Sequence, residues 1–283
     1  MKIARIDNRA HLIHDTAEAL LAIDIGSASE GQLPTSTKAL LARIGDLKKL
    51  SRRIDWAVEA VEVQSESLQT PIPDPSQILA VGMNYQDHAD EVDIATPDSP
   101  AIFTKFQSSL TGADSDVALP SASVDWEAEL VAVIGEGGRQ ISQDRAWNHI
   151  AGYAVGQDLS CRELQFAATS APQFSLGKSY EGFAPIGPWI TTAEEVEDPT
   201  NLEINCRRGD EILQQGTTAK LVFDIPTLIE HFSSVIELRP GDLIFTGTPH
   251  GVGFGRDPQV FLRSGDTLTS SISGLGSIVQ RFH

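Results

Sequence analysis

Cysteine is scarce, with two residues in a chain of 283, Cys161 and Cys206. They are far apart and fall in no metal-ligand spacing. That leaves one bridge or two buried free thiols, and free thiols are expected of a chain folded in a reducing compartment. Positive charge is short as well, since 21 Lys and Arg against 39 Asp and Glu give a formal net charge of −18. Nucleic acid is therefore not expected as a partner, because its phosphates would be repelled. An anionic substrate would need local Arg, Lys or a metal to overcome the overall field, and a plain alternative is that the acidity maintains solubility. No apolar run approaches the ~18–20 residues that span a bilayer, so no membrane partner is expected. The first residues, Met1 to Asp7, contain no apolar signal core, which makes the cytoplasm the expected location. A nucleotide loop is missing too, with neither G-x-x-x-x-G-K-[ST] nor a strand–G-x-G-x-x-G–helix, and there is no internal repeat or low-complexity tract.

What remains is an ordinary globular balance, 41% hydrophobic and 21% charged. Residues 1–72 are predicted to form a small N-terminal α/β domain and residues 73–283 the domain that carries the chemistry. The boundary is set near Pro71-Ile72-Pro73-Asp74-Pro75, a stiff connector. In the first segment, Ser36 to Leu50 places Leu40, Leu41, Ile44 and Leu47 at near-helical spacing. In the second, Ile78 to Val81, Leu130 to Ile134, Ala151 to Val155, Ile186 to Ile190, Leu243 to Phe245 and Thr267 to Ile272 read as strands. Helices are expected only at about 160–170 and 225–235. The predicted class is β-rich α+β.

Chemistry concentrates in a few places. In Asp125-Trp126-Glu127-Ala128-Glu129-Leu130, residues two apart on a strand share a face, so Glu127 and Glu129 project together. Two adjacent carboxylates repel, and a hard divalent cation between them is the economical remedy; a solvated strand edge is the alternative. Asp158 offers a third oxygen near the expected N-cap of a helix on which Arg162 and Gln165 share a face. A cap with a salt bridge would also explain that pattern. His88 and Glu91, three apart, form a possible acid–base pair or a plain surface contact. Lys178 lies in Gly177-Lys178-Ser179, where a solvated lysine is the default reading. Thr246-Gly247-Thr248-Pro249-His250-Gly251-Val252-Gly253 combines permissive glycines with hydroxyl and N–H donors suited to a carboxylate, or is a series of tight turns.

Their order is more telling than any one of them. Gly82-Met83-Asn84-Tyr85, His88, Glu91, Phe103-Thr104-Lys105, Asp125-Trp126-Glu127-Ala128-Glu129, Gly156-Gln157-Asp158, Arg162, Gln165, Gly177-Lys178-Ser179 and Thr246-Gly247-Thr248-Pro249 follow in a series. This series resembles the catalytic domain of the fumarylacetoacetate hydrolase family over roughly residues 76–282. The resemblance implies a mixed β-roll, a homodimer, and Mg²⁺ or Mn²⁺, with Ca²⁺ a further candidate, held by Glu127, Glu129 and Asp158. It implies His88, Glu91 and Lys178 as catalytic residues, and Tyr85, Arg162, Gln165 and Thr248 as residues around a small 2-oxo acid. The expected reaction is hydrolysis of a C–C bond in a 2,4-dioxo acid (an acylpyruvate), as in aromatic catabolism. Oxaloacetate decarboxylation, isomerisation of a 2-hydroxy-dienoate, or an inactive metal-binding scaffold are the alternatives. Gln215-Gly216-Thr217-Thr218 and Arg207-Arg208-Gly209-Asp210 depart from the family pattern and bear on substrate preference.

Overall fold

The computed structural model describes residues 1–87 and 97–283. A mixed sheet of eleven strands and a second sheet of five dominate the described residues. The N-terminal meander β1 (Lys2–Ile6), β2 (Arg9–Asp15) and β3 (Leu20–Asp24), with the short β4 (Val61–Glu62), occupies one end of the large sheet. β5 (Ile78–Gly82) and β6 (Ala101–Thr104) form the other end. The short β7 (Leu110–Thr111), β8 (Asp114–Val117) and β9 (Val124–Asp125) lead to the central pair, β10 (Ala128–Ile134) and β11 (Ile150–Gln157). After β12 (Ser160–Cys161) come β13 (Ala184–Thr192), β14 (Glu203–Arg208), β15 (Glu211–Thr217), β16 (Leu243–Phe245), β17 (Thr267–Ile272) and β18 (Gly276–Phe282). The large sheet runs β4-β3-β2-β1-β13-β11-β10-β16-β5-β6, with β7 as its eleventh strand paired to β13 off this path, and the smaller one runs β15-β14-β17-β18-β8. The N-terminal strands join the large sheet through β1, whose Lys2 and Ile3 pair with Thr191 and Ile190 of β13.

All seven residues of β10 are buried, as expected of a continuous apolar run covered on both faces. Leu130, Ala132 and Ile134 enter one core with Ile204, Leu268, Ile278 and Phe282 of the smaller sheet. Val131 and Val133 enter a second core with Ile78, Ala80, Ile186 and Phe245. This period-2 division places Glu129 in phase with the second face. The helix Ile225–Val235 packs Ile225, Leu228, Ile229 and Phe232 into the first core, and Asp224 caps it by accepting from the Thr227 N–H at 2.9 Å.

The six predicted strands and the helix at 225–235 are present, and both cysteines are buried free thiols. Two helices differ from expectation. Ser36 to Leu50 is broken into Thr37–Leu41 and Ile44–Ser51, with Arg43 outside the helical region at φ −121° and ψ 21°. The break sends Leu40 and Leu47 into the core under β1 and β2 while Leu41 reaches the one beside β5. The helix expected at 160–170 shrinks to Arg162–Gln165, because Ser160 and Cys161 pair with Asp125 and Val124 instead. Asp158 is therefore not a helix cap; Cys161 holds that position. No described helix is long and apolar enough to cross a membrane.

Candidate metal centre and active site

Strand direction explains why the candidate residues meet. β16 runs parallel to β5 and antiparallel to β10, and β10 runs antiparallel to β11. The C-terminal ends of β5, β11 and β16 thus share one edge with the N-terminal start of β10. The β10–β11 register pairs Ala128 with Gln157, and the next step out joins the Asp158 N–H to the Glu127 carbonyl at 2.9 Å. Glu127, Glu129 and Asp158 end up with one carboxylate oxygen each within 4.8 Å of one another, all three buried.

Cations surround this cluster unevenly. Lys178, reaching in from the end of the helix Phe174–Gly177, donates to Glu127 Oε2 at 2.7 Å, Asp158 Oδ2 at 2.7 Å and Ser160 Oγ at 2.8 Å. Gly177 lets this helix lie against Gln165, since a Cβ there would stand 2.9 Å from the Gln165 backbone nitrogen. Lys105 contacts the other Asp158 oxygen and the Lys178 carbonyl. Arg162 donates Nε at 2.9 Å and Nη2 at 2.7 Å to Asp125, Nη2 at 2.6 Å to Glu127, and Nη1 at 2.8 Å to Gln165 Oε1. It does not pair with Asp158, because the β9–β12 ladder turns it toward Asp125. Glu129 accepts the Gly247 N–H at 2.8 Å and forms no ion pair among the described residues. Gly247 has φ +103°, a conformation glycine supplies without strain.

Titration follows from these contacts. Burial raises Glu129 well above the usual carboxylate range, and Asp158 and Glu127 add to the rise. Burial pulls down on Lys178, but Asp158 and Glu127 outweigh it and hold the ammonium above its ordinary value. Burial, aided by the neighbouring Lys178, lowers Lys105 despite its contact with Asp158. Counted by formal charge, Asp125, Glu127, Glu129 and Asp158 outnumber Lys105, Arg162 and Lys178 by one. An all-oxygen donor set with surplus negative charge fits a hard divalent cation, and the raised titration of Glu129 marks where positive charge is lacking.

Above the carboxylates lies a cavity of about 150 Å³ whose walls include Val81, Met83, Phe103, Phe166, Phe174 and Phe254, with Glu127, Glu129, Arg162, Gln165, Lys178 and Thr248 also reaching it. Arg162, Gln165, Lys178 and Thr248 thus meet at one site. The Thr248 hydroxyl donates to the Ala128 carbonyl at 2.9 Å and accepts from Gln214 at 2.8 Å. Tyr85 does not line the cavity; it is wholly buried in the first core, its hydroxyl without a partner among the described residues. His88 and Glu91 lie outside the described residues. Sequence reasoning assigned no role to Lys105 or Asp125, although both fall inside the ordered series of motifs. Asp125 joins Arg162 to the Gly253 N–H at 2.7 Å and the Phe254 N–H at 3.0 Å. Gln157 and Gln214, which receive the Glu127 and Ala128 N–H groups at 2.9 and 3.0 Å, gave no sequence signal for that contact.

Comparison with known proteins agrees with this geometry. The family model for the fumarylacetoacetate (FAA) hydrolase C-terminal region matches residues 77–283. Human oxaloacetate tautomerase FAHD2A, mitochondrial, is 39% identical over 258 residues, which cover 90% of this chain and 82% of the relative. Among solved structures, maleylpyruvate hydrolase from Sphingobium sp. SYK-6, in complex with manganese(II) and pyruvate, aligns with a TM-score of 0.81 and 29% identity, over 100% of this chain and 98% of that one. Fumarylacetoacetate hydrolase from Exiguobacterium antarcticum aligns at 0.82 and 30% identity, over 100% and 99%. With the folded core, the buried acidic triad and the matched region in agreement, the chain belongs to the fumarylacetoacetate hydrolase family.

Proposed function

We propose that this chain is a divalent-cation-dependent enzyme that works on a small 2-oxo acid through its enolate, and that it hydrolyses the C–C bond of a 2,4-dioxo acid to release pyruvate or a related oxo acid. The observation that carries this reading is the convergence of Glu127, Glu129 and Asp158, with Lys178 bonded to two of them, at a cavity that Glu127, Glu129 and Lys178 line. Mg²⁺ or Mn²⁺ held there supplies Lewis acidity to the oxygens of a bound 2-oxo acid. Lys178, kept protonated by Asp158 and Glu127, presents fixed positive charge to an oxygen that becomes negative as the reaction proceeds. Arg162 and Gln165, tied to each other, hold Glu127 in place from the cavity side. His88, oriented by Glu91, is the proposed base. It takes a proton from water, the water oxygen adds to the distal carbonyl carbon, the bond from that carbon to carbon 3 breaks, and carbon 3 takes up a proton.

A second reading is keto–enol exchange of oxaloacetate. It is supported by relatives of about this similarity named as oxaloacetate tautomerases, including one from Xenopus laevis at 42% identity. It requires proton transfer at carbon 3 and no attacking water.

Both readings meet in one assay. Metal-stripped protein is given acetylpyruvate or oxaloacetate, with and without Mg²⁺ or Mn²⁺, and products are identified chemically. Metal-dependent acetate plus pyruvate is the expected outcome. Metal-dependent interconversion of oxaloacetate tautomers with no cleavage of acetylpyruvate would replace the first reading by the second. Turnover that persists in a Glu127→Ala variant without bound metal would overturn both.

A further inference from the structure

We infer that Gln214, on the edge strand β15 of the smaller sheet, is a positioning residue for the site. It sets where Thr248 stands relative to the strand start that carries Glu127 and Glu129. The inference rests on the metal-dependent 2-oxo acid reading above and names a further residue that serves it.

β10 and β16 part company at the site. They pair Val133 with Leu243, Ala132 with Ile244 and Val131 with Phe245. Continuing that register opposes Leu130 with Thr246, and the Thr246 N–H and hydroxyl both donate to the Leu130 carbonyl, at 3.1 and 2.9 Å. Every second opposed pair of an antiparallel ladder exchanges backbone bonds, so the next in phase is Ala128 with Thr248. Side chains take over there. The Thr248 hydroxyl donates to the Ala128 carbonyl at 2.9 Å, and the Ala128 N–H donates to Gln214 Oε1 at 3.0 Å. Gln214 Nε2 closes the circuit by donating to Thr248 Oγ1 at 2.8 Å, and it also donates to the Pro249 carbonyl at 2.8 Å. Exchanging the amide oxygen and nitrogen would set donor against donor at Ala128 and acceptor against acceptor at Pro249, so the amide has one orientation.

β15 is shaped to deliver this side chain. Cys206 of β14 pairs with Gln214 but Arg207 pairs with Ile212, which leaves Leu213 as an extra residue in the ladder. Leu213 and Gln214 are successive and both buried, where strict alternation would expose one of them. Gly216 lets the strand lie against the loop, since a Cβ there would stand 2.4 Å from Pro249 Cβ.

None of these bonds uses a carboxylate oxygen, so a cation between Glu127, Glu129 and Asp158 leaves them in place. The Glu127 N–H is held separately, by Gln157 at 2.9 Å. Removing the Gln214 amide strands the Ala128 N–H and the Pro249 carbonyl in the interior, and a buried group without a partner is costly. Relief comes from movement of the strand start and the loop, and Thr248, which lines the cavity, moves with them.

The test is a double-mutant cycle read by titration calorimetry on the full chain, with Mn²⁺ as one probe and pyruvate in saturating Mn²⁺ as the other. Gln214→Met keeps length and loses the amide, and Thr248→Val keeps shape and loses the hydroxyl. In Gln214→Met, shown by thermal melting to be folded, both probes should bind about tenfold more weakly. For both probes the double variant should fall short of the product of the single effects by at least about threefold. Gln157→Met, which frees the Glu127 N–H but touches no atom of Thr248, should combine with Thr248→Val multiplicatively. Where Gln214→Met does not fold, Gln214→Glu takes its place; it keeps the acceptor for Ala128, lacks both N–H donors, and its added charge cancels within the cycle. Unchanged binding in the folded Gln214 variant would overturn the inference. So would multiplicative effects of Gln214 and Thr248, or equal coupling of Gln157 with Thr248, which would mark a general loosening. If the unaltered chain binds Mn²⁺ and not pyruvate, the 2-oxo acid reading falls while the Mn²⁺ cycle still decides the role of Gln214. If it binds neither, both fall.

Discussion

At Glu129 a carboxylate only 1% exposed receives one backbone N–H and no ion pair among the described residues. Glu127 and Asp158, by contrast, share Lys178, with Arg162 and Lys105 at their outer sides. Replacing Glu129 by Gln keeps the shape and lets the amide oxygen accept from Gly247, while a repelling charge is removed. The metal-free variant should melt higher than the unaltered protein, by roughly 2–4 °C per kcal/mol gained. Its Mn²⁺ affinity should fall by at least about 100-fold, an effect no smaller than that of losing a supporting residue. Melting curves and titration calorimetry check the pair of outcomes, and a variant that melts lower and binds Mn²⁺ normally would show that Glu129 is not a ligand. The glutamates were legible from sequence because alternation on a strand needs only local spacing. The roles of Asp125 and Lys105 were not, since their partners lie 37 and 53 residues away and depend on register.

Between the two sheets, Gln157 links the site to the smaller one. Its Oε1 accepts from the Glu127 N–H at 2.9 Å, and its Nε2 donates to Ser270 Oγ at 2.7 Å and reaches Cys206 Sγ at 3.5 Å. Burial pushes the Cys206 thiol up to about 12, against the modest pull of Ser270 and Gln157. The sign is definite: the folded state keeps a proton that the unfolded chain releases near its ordinary value of about 8.5. The contribution is therefore fully present below that value and is lost as pH rises toward 12, at up to about 1.4 kcal/mol per unit. Melting temperature should fall more steeply above pH 9 in the unaltered protein than in Cys206→Ser, and parallel curves would contradict the assignment. At the level of elements, sequence periodicity captured the strands because each is buried on a defined face. It overextended the helix at 160–170 because tertiary pairing of Ser160 and Cys161 with β9 overrode helical spacing.

Across the whole molecule, the net charge of −18 opposes the approach of any anionic 2-oxo acid, while the proposed divalent cation would attract it over a short range. Added salt screens the longer-range repulsion first, the Debye length being about 8 Å at physiological ionic strength. With metal saturating, kcat/KM for an anionic substrate should rise between about 10 and 150 mM NaCl, the reverse of a steered encounter. A fall over that range would mean that local positive potential extends well beyond the cavity. The fold class was readable from the sequence because apolar runs bounded by Gly, Pro and Asp recur along it. The joining of the N-terminal meander to the large sheet through β1 and β13 was not, since Lys2 and Thr191 lie far apart in the chain and no local pattern announces the pairing.

The two-faced burial of β10 also limits how this chain can change in length. Deleting one residue inside Ala128–Ile134 would turn the side chains on one side of the deletion to the opposite face, either moving the valines meant for one core into the other or carrying Glu129 out of phase with Asp158. Gly135 to His149, which connects β10 to β11 at the end away from the carboxylates, keeps no strand alternation, but it is packed in place: Ile141 and Ala146 enter the first core and the Gly138 N–H donates to the Leu238 carbonyl at 2.9 Å. Changes of length should therefore be rejected most strongly within the strand, where the phase of alternate side chains decides which core each one enters and which way the glutamates face.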